Sequence, residues 1–156
     1  MSINSLIKNN IKQIKTFLVL LAVFCLNMSG LTVFAQHPSL GGGNGTNTDP
    51  YKITTATQLK ALADYVNAGN SNEAANKYYK LLNNIDLSGY DNWKPIGNNN
   101  LNNINNRFRG NFDGNGKMVQ NITINRPTET EIGLFGYIYQ ANIQNLGVEN
   151  CNILGG

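Results

Sequence analysis

Two cysteines, one histidine, one tryptophan and four prolines are all that this 156-residue chain has of those residue types. The shortages narrow its chemistry. Cys25 sits in an apolar run near the N-terminus and Cys151 close to the other end, so removal of a leader containing Cys25 leaves no internal disulfide to form. A fold exported in that state depends on packing and hydrogen bonding, even in a compartment that permits cross-links. With His37 as the only histidine, the zinc pattern His-Glu-x-x-His is excluded, and Gly-x-Ser-x-Gly is absent as well. Charge is scarce too. Asp, Glu, Lys and Arg make up 13% of the chain, about half the usual ~25%. The formal charge of +3 comes from Lys8, Lys12 and Lys15, and from Gln36 onward nine basic residues balance nine acidic ones. A neutral mature chain argues against nucleic acid as a partner. In place of charge there are 28 asparagines and 16 glycines, the residues that enter turns and left-handed backbone most readily.

Residues 1–35 run from a basic, Asn-rich start through the apolar stretch Phe17 to Leu26 to a small-residue tail, Val33-Phe34-Ala35. That order is the layout of a secretory signal peptide, with cleavage expected after Ala35. The alternative is a membrane anchor, since Phe17 to Ala35 nearly reaches the ~20 residues a span requires. Asn27, Ser29, Gly30 and Thr32 weaken it. Residues 36–50 read as a flexible Gly/Asn-rich lead-in, and residues 51–80 as an N-terminal cap. Within the cap, Thr55 and Gln58 form a capping box, Leu59, Leu62 and Val66 share a face, and Gly69 ends the helix.

An internal repeat occupies residues 81–156. Leu82-Asn83-Asn84-Ile85-Asp86-Leu87, Val119-Gln120-Asn121-Ile122-Thr123-Ile124 and Ile143-Gln144-Asn145-Leu146-Gly147-Val148 align without gaps. The second and third copies stand one period apart, and the first interval is longer. Its excess is assigned to the Asn-rich loop Gly97–Asn106. Alternating apolar residues indicate short strands with one buried face. Asn84, Asn121 and Asn145 are expected to align at one bend, where stacked side chains hydrogen-bond between layers. A strand, an Asn bend and another strand, recurring about every 24 residues, describe coils of a parallel β-helix capped by one short α-helix.

Several stretches together resemble GLUG-type repeat proteins. In order these are Gly45-Thr46 with Asp49-Pro50-Tyr51-Lys52-Ile53, then Gln58-Leu59, Ile85-Asp86-Leu87-Ser88 and Trp93-Lys94-Pro95-Ile96-Gly97. They continue through Phe108-Arg109-Gly110-Asn111-Phe112-Asp113-Gly114-Asn115-Gly116, Gly133-Leu134-Phe135-Gly136 and Ile143-Gln144-Asn145-Leu146. Such repeats occur in bacterial surface proteins, many secreted Bacteroidetes proteins and some immunoglobulin A1 peptidases. The resemblance implies an all-β, right-handed parallel β-helix of the pectate-lyase-like kind, secreted or displayed at the bacterial cell surface. It implies no activity, because the repeat is found in adhesin-like proteins and as an accessory part of proteases. Members usually continue through many more repeats, so truncation of a longer protein at Gly156 is expected.

The chemistry-bearing residues point away from catalysis. His37 reads as a flexible terminal residue and Cys151 as a small buried or partly buried hydrophobe rather than a nucleophile. Asp86, Asp91 and Asp113 share no repeat column, so an acidic site of the kind used by polysaccharide-degrading β-helices is not evident. Glu129 and Glu131 flank a turn. Tyr90, Trp93 and Lys94 could form a sugar platform, but burial suits Trp93 better. Tyr137 and Tyr139 are expected to be exposed aromatics. No catalytic, metal-binding or cofactor-binding residue is assigned. The expected function is a non-catalytic module for adhesion or for binding an extracellular glycan or a host or neighbour-cell protein, without nucleic acid or cofactor. The alternative is a fragment of a secreted enzyme, either a polysaccharide-degrading β-helix or the accessory N-terminal region of a metallopeptidase.

Overall fold

Thr55 opens the one long helix, α1 (Ala56–Asn67), by accepting a hydrogen bond from the Gln58 amide at 3.3 Å. The Gln58 side chain reaches back one residue further than a capping box requires, accepting from the Thr54 amide and hydroxyl at 2.7 and 2.9 Å. Leu59, Leu62 and Val66 are fully buried, and Gly69, at φ +98°, turns the chain away after the last helical residue. A short helix α2 (Ser71–Ala74) follows. The computed structural model describes residues 37–98 and 104–156. The leader expected over residues 1–35 and the middle of the Asn-rich loop lie outside them.

The remaining elements are strands: β1 (Tyr51–Ile53), β2 (Tyr78–Leu81), β3 (Ile85–Asp86), β4 (Asn111–Gln120), β5 (Thr123–Arg126), β6 (Asn142–Glu149) and β7 (Asn152–Gly155). Every pairing among the described residues is parallel. The chain is therefore mostly sheet with few helices. Tyr51 pairs with Tyr79, Tyr79 with Phe112, and Phe112 with Ile143. Parallel neighbours need a long crossover, and each of these steps, about thirty residues of chain, carries it back to the same sheet. β4 is long enough to lie against β2 with its first half and β3 with its second. Between those halves its ladder with β6 slips. Gly114 lies at this slip, and a Cβ there would come within 2.4 Å of the Asn145 carbonyl oxygen and 2.5 Å of the Leu146 Cα. Close approach of two backbones explains the glycine.

The register corrects the expected repeat length. Val119 pairs with Val148 and Ile124 with Ile153, a longer step than the one aligned in the sequence, whereas Ile85 pairs with Val119, a shorter step than the alignment, which matches Ile85 to Ile122. Nor do the three asparagines share one bend. Asn145, at φ +53°, donates to Asp113 Oδ1 at 3.0 Å, and Asn84 Oδ1 accepts from the Met118 amide at 3.1 Å. These contacts lie at the first bend. Asn121, at φ +58°, belongs to a second bend, where it donates to Asp86 Oδ1 at 2.9 Å and accepts from Asn150 Nδ2 at 3.3 Å. Two kinds of Asn-bearing bend thus recur, flanked by similar apolar residues, and the ungapped alignment matched one to the other. Of the expected interior residues, Ile85, Leu87, Val119, Ile122 and Ile124 are buried, while Leu82 is 38% and Val148 45% exposed. Val148 keeps the register of the interior column, but among the described strands β6 pairs only with β4, so nothing described covers its other side.

The core joins α1 to the inner faces of the strands through Ile53, Tyr79, Leu81, Phe108, Phe112 and Trp93. His37, expected to be flexible, is instead a half-buried plug at one end. Its ring stacks on Tyr51 with centroids 3.9 Å apart, and Nε2 is 3.0 Å from the Tyr79 hydroxyl. Burial holds its pKa below the ordinary 6.5, because desolvation disfavours the charged imidazolium.

Candidate functional site

Strand alternation turns Tyr79, Phe112 and Ile143 toward the core and their neighbours outward. Parallel register then lines those neighbours up. Tyr78, Asn111 and Asn142 form one row across the sheet, and Lys80, Asp113 and Gln144 form a second, on the next outward position of each strand. Asn47 and Pro50 overhang them, closing a shallow groove of about 190 Å³. Within it the Lys80 ammonium lies 3.7 Å from Asp113 Oδ2. Partial burial raises the Asp113 pKa, but the donors Asn145 Nδ2, the Asn115 amide and Lys80 outweigh it and hold the carboxylate below its ordinary range. The groove offers amides, a phenol and an ion pair: groups that hydrogen-bond hydroxyls and carbonyls but supply no acid–base pair or nucleophile.

The carboxylates weighed for catalysis are not brought together. Asp86 accepts from Asn121 and from the Ser88 amide at 2.9 Å, and the Asn121 bond foremost lowers its pKa. Glu129 pairs with Arg126 at 2.8 Å. It and Glu131, which adopts φ +51°, line a larger, polar hollow of about 480 Å³ with Lys94, Arg126 and Thr128. Among the described residues no three His, Cys, Asp or Glu side chains cluster to hold a metal ion. Trp93 is only 2% exposed and donates Nε1–H to the Leu134 carbonyl at 3.2 Å. It is a core residue, not a sugar platform. Cys151, expected to be at least partly buried, is exposed, with Sγ 3.8 Å from the Glu149 carbonyl oxygen. It follows the Asn150 bend in a segment, 149–156, whose residues are all exposed. The described ends of the Asn-rich loop are anchored: Asn98 donates to Asn67 Oδ1 at 3.0 Å, and Asn106 to Asn98 Oδ1 at 3.2 Å.

Sequence reasoning missed Tyr78, Lys80, Asn111, Asn142 and Gln144 as a group. The available signal was the polar residue on either side of each inward one in Tyr78-Tyr79-Lys80, Asn111-Phe112-Asp113 and Asn142-Ile143-Gln144. Only the register shows that the three triplets are neighbours.

No family model matches the chain. It is similar to a "Putative Gly-rich membrane protein" of Evansella cellulosilytica, 31% identical over an alignment of 157 positions that spans 92% of this chain and 16% of that protein. Halomucin of Haloquadratum walsbyi is 34% identical over an alignment of 123 positions that spans 73% of this chain and 1% of that one. The chain therefore spans less than a fifth of either curated relative. Among solved structures, a "putative immunoglobulin A1 protease" from Bacteroides ovatus superposes with a TM-score of 0.54 at 23% identity, over 75% of this chain and 34% of that one. This likeness extends to the fold alone. Among the described residues no helix is long and apolar enough to cross a membrane.

Proposed function

We propose that the chain forms a right-handed parallel β-helix bearing GLUG-type repeats, exported by cleavage after Ala35 and secreted or held at the bacterial cell surface. There it binds an extracellular glycan or protein without catalysing a reaction. The observation that carries this reading is the alignment of outward polar side chains into two rows over the parallel sheet, in a groove with no catalytic set. Return of each strand to the same sheet at similar intervals supports the coil geometry, and right-handedness follows the general rule for parallel crossovers. The similarity to a membrane protein and to halomucin supports the surface location.

Export is tested by N-terminal sequencing of the released product, which should start at or near Gln36. An intact Met1 in a membrane fraction would overturn it. Binding is tested on a glycan array with the Lys80→Ala/Asn111→Ala variant, which should lose the ligand while its thermal unfolding is preserved. Reproducible turnover of polysaccharides or immunoglobulin A that disappears on changing Asp86, Asp91 or Asp113 would refute the non-catalytic reading. A second reading, that the chain is an accessory region of a larger secreted enzyme, draws on the fold likeness to part of the Bacteroides ovatus protein. A catalytic segment encoded in frame with this chain would support it.

A further inference from the structure

On a different side of the molecule, Phe108 and Ile138 form a parallel bridge, with the Phe108 amide donating to the Tyr137 carbonyl at 3.0 Å and the Tyr139 amide to the Phe108 carbonyl at 2.9 Å. Phe108 points inward and is fully buried. Arg107 and Arg109 therefore stand outward beside Tyr137 and Tyr139. The Arg107 guanidinium lies 4.9 Å from the Tyr137 ring centroid and 5.4 Å from that of Tyr139, and Arg109 lies 5.5 Å from Tyr139. These are cation–π distances, and they gather the four side chains into one cluster, with Arg107 against both rings and Arg109 against Tyr139.

The cluster is held in place yet its charge is not neutralised. Arg109 donates to two amide oxygens, Asn72 Oδ1 at 2.8 Å and Gln140 Oε1 at 3.2 Å, which orient the guanidinium without cancelling its charge. Among the described residues neither arginine takes part in an ion pair. Glu73 lies on the same short helix as Asn72 and pairs with neither. Two arginines, on alternate residues of one extended segment, thus leave the backbone about 7 Å apart on the same side. Tyr139 keeps 43% of its surface exposed beside them.

We infer that this Arg–Tyr cluster is a binding site for an anionic polysaccharide. The guanidinium edges take a carboxylate or sulfate group in paired hydrogen bonds. The exposed Tyr139 ring receives the apolar face of a sugar ring, as an aromatic with a wet rim does. From Gln36 onward the charges balance, so two arginines unpaired on one strip attract anions locally without long-range steering by net charge. The site lies apart from the groove over the main sheet, so it can hold or fail independently of the function proposed above.

The test uses the purified chain and four probes: neutral dextran, carboxymethyl-dextran, dextran sulfate and poly-glutamate, measured by affinity electrophoresis and calorimetry. Binding to one or both charged dextrans, weak or absent binding to neutral dextran, and weakening as salt rises are expected. Arg107→Gln/Arg109→Gln should weaken that binding by roughly tenfold or more. The conservative Arg107→Lys/Arg109→Lys variant should restore only part of it, because an ammonium lacks the planar fork. Tyr139→Leu, which keeps both charges, should weaken the charged dextrans but leave poly-glutamate unchanged. Unfolding curves matching the parent verify each variant, and Lys80→Ala/Asn111→Ala should bind the charged dextrans normally. Failure to bind either charged dextran, equal binding of neutral dextran, or full affinity in the double glutamine variant would overturn the inference. Tighter binding of poly-glutamate than of the charged dextrans would reassign the site to an acidic peptide and overturn the polysaccharide class.

Discussion

Asparagine has two tasks in this chain, and both depend on its short amide. It tolerates positive φ at Asn115, Asn121, Asn145 and Asn150, and its side chain links neighbouring bends, as in the run from Asp86 through Asn121 to Asn150. The two can be separated by substitution. Asn121→Gly keeps the backbone conformation and loses the ladder, while Asn121→Ala loses both. Denaturant unfolding should therefore show the alanine variant less stable than the glycine variant by about 1 kcal/mol. His37 adds a pH dependence. Its pKa is depressed in the folded state, so the unfolded chain binds the proton more readily. The stability it contributes is complete above the ordinary value of 6.5 and is lost as pH falls through the folded value. Unfolding midpoints should drop as pH is lowered below 6.5, and His37→Gln should flatten that slope. Asp86 and Asp113, held below the ordinary 3.8, lose their contributions only in a separate window below that value.

At the scale of elements, α1 was readable because its signals are local: the Thr55 cap, the i, i+3, i+7 spacing of Leu59, Leu62 and Val66, and a glycine after its end. Its burial against the strands makes it a stabilising lid over the core rather than a solvent helix. Leu62→Ala, at a fully buried position, should cost about 2–5 kcal/mol, whereas Lys60→Ala on the exposed face should change the unfolding midpoint little. The strands were readable as strands for the same local reason, an alternation of apolar and polar residues. Their partners were not. Asn121 and Asn145 have nearly the same neighbours in sequence but sit at different bends, because pairing is decided by the lengths of the loops between them.

At the scale of the whole molecule, β4 is the centre of the sheet, flanked by β2 and β3 on one side and β6 on the other. Hydrogen exchange should find its paired amides slowest and those of β7, which is paired only with β5, among the fastest strand amides. Uniform protection across β4 and β7 would contradict this arrangement. The amino-acid sequence by itself determined the sheet-rich class, the helix α1, the buried role of Trp93 and the scattering of the acidic residues, since each rests on contacts within a few residues or on composition. The tertiary structure alone decided the longer register of the later strands, the separation of the two Asn bends, the plugging of the core by His37, and the assembly of both outer surfaces. Lys80 meets Asp113, and Arg107 meets Tyr137, across about thirty residues of chain. Pairings at that range depend on which loops bulge and where backbones approach closely, and no local pattern encodes that.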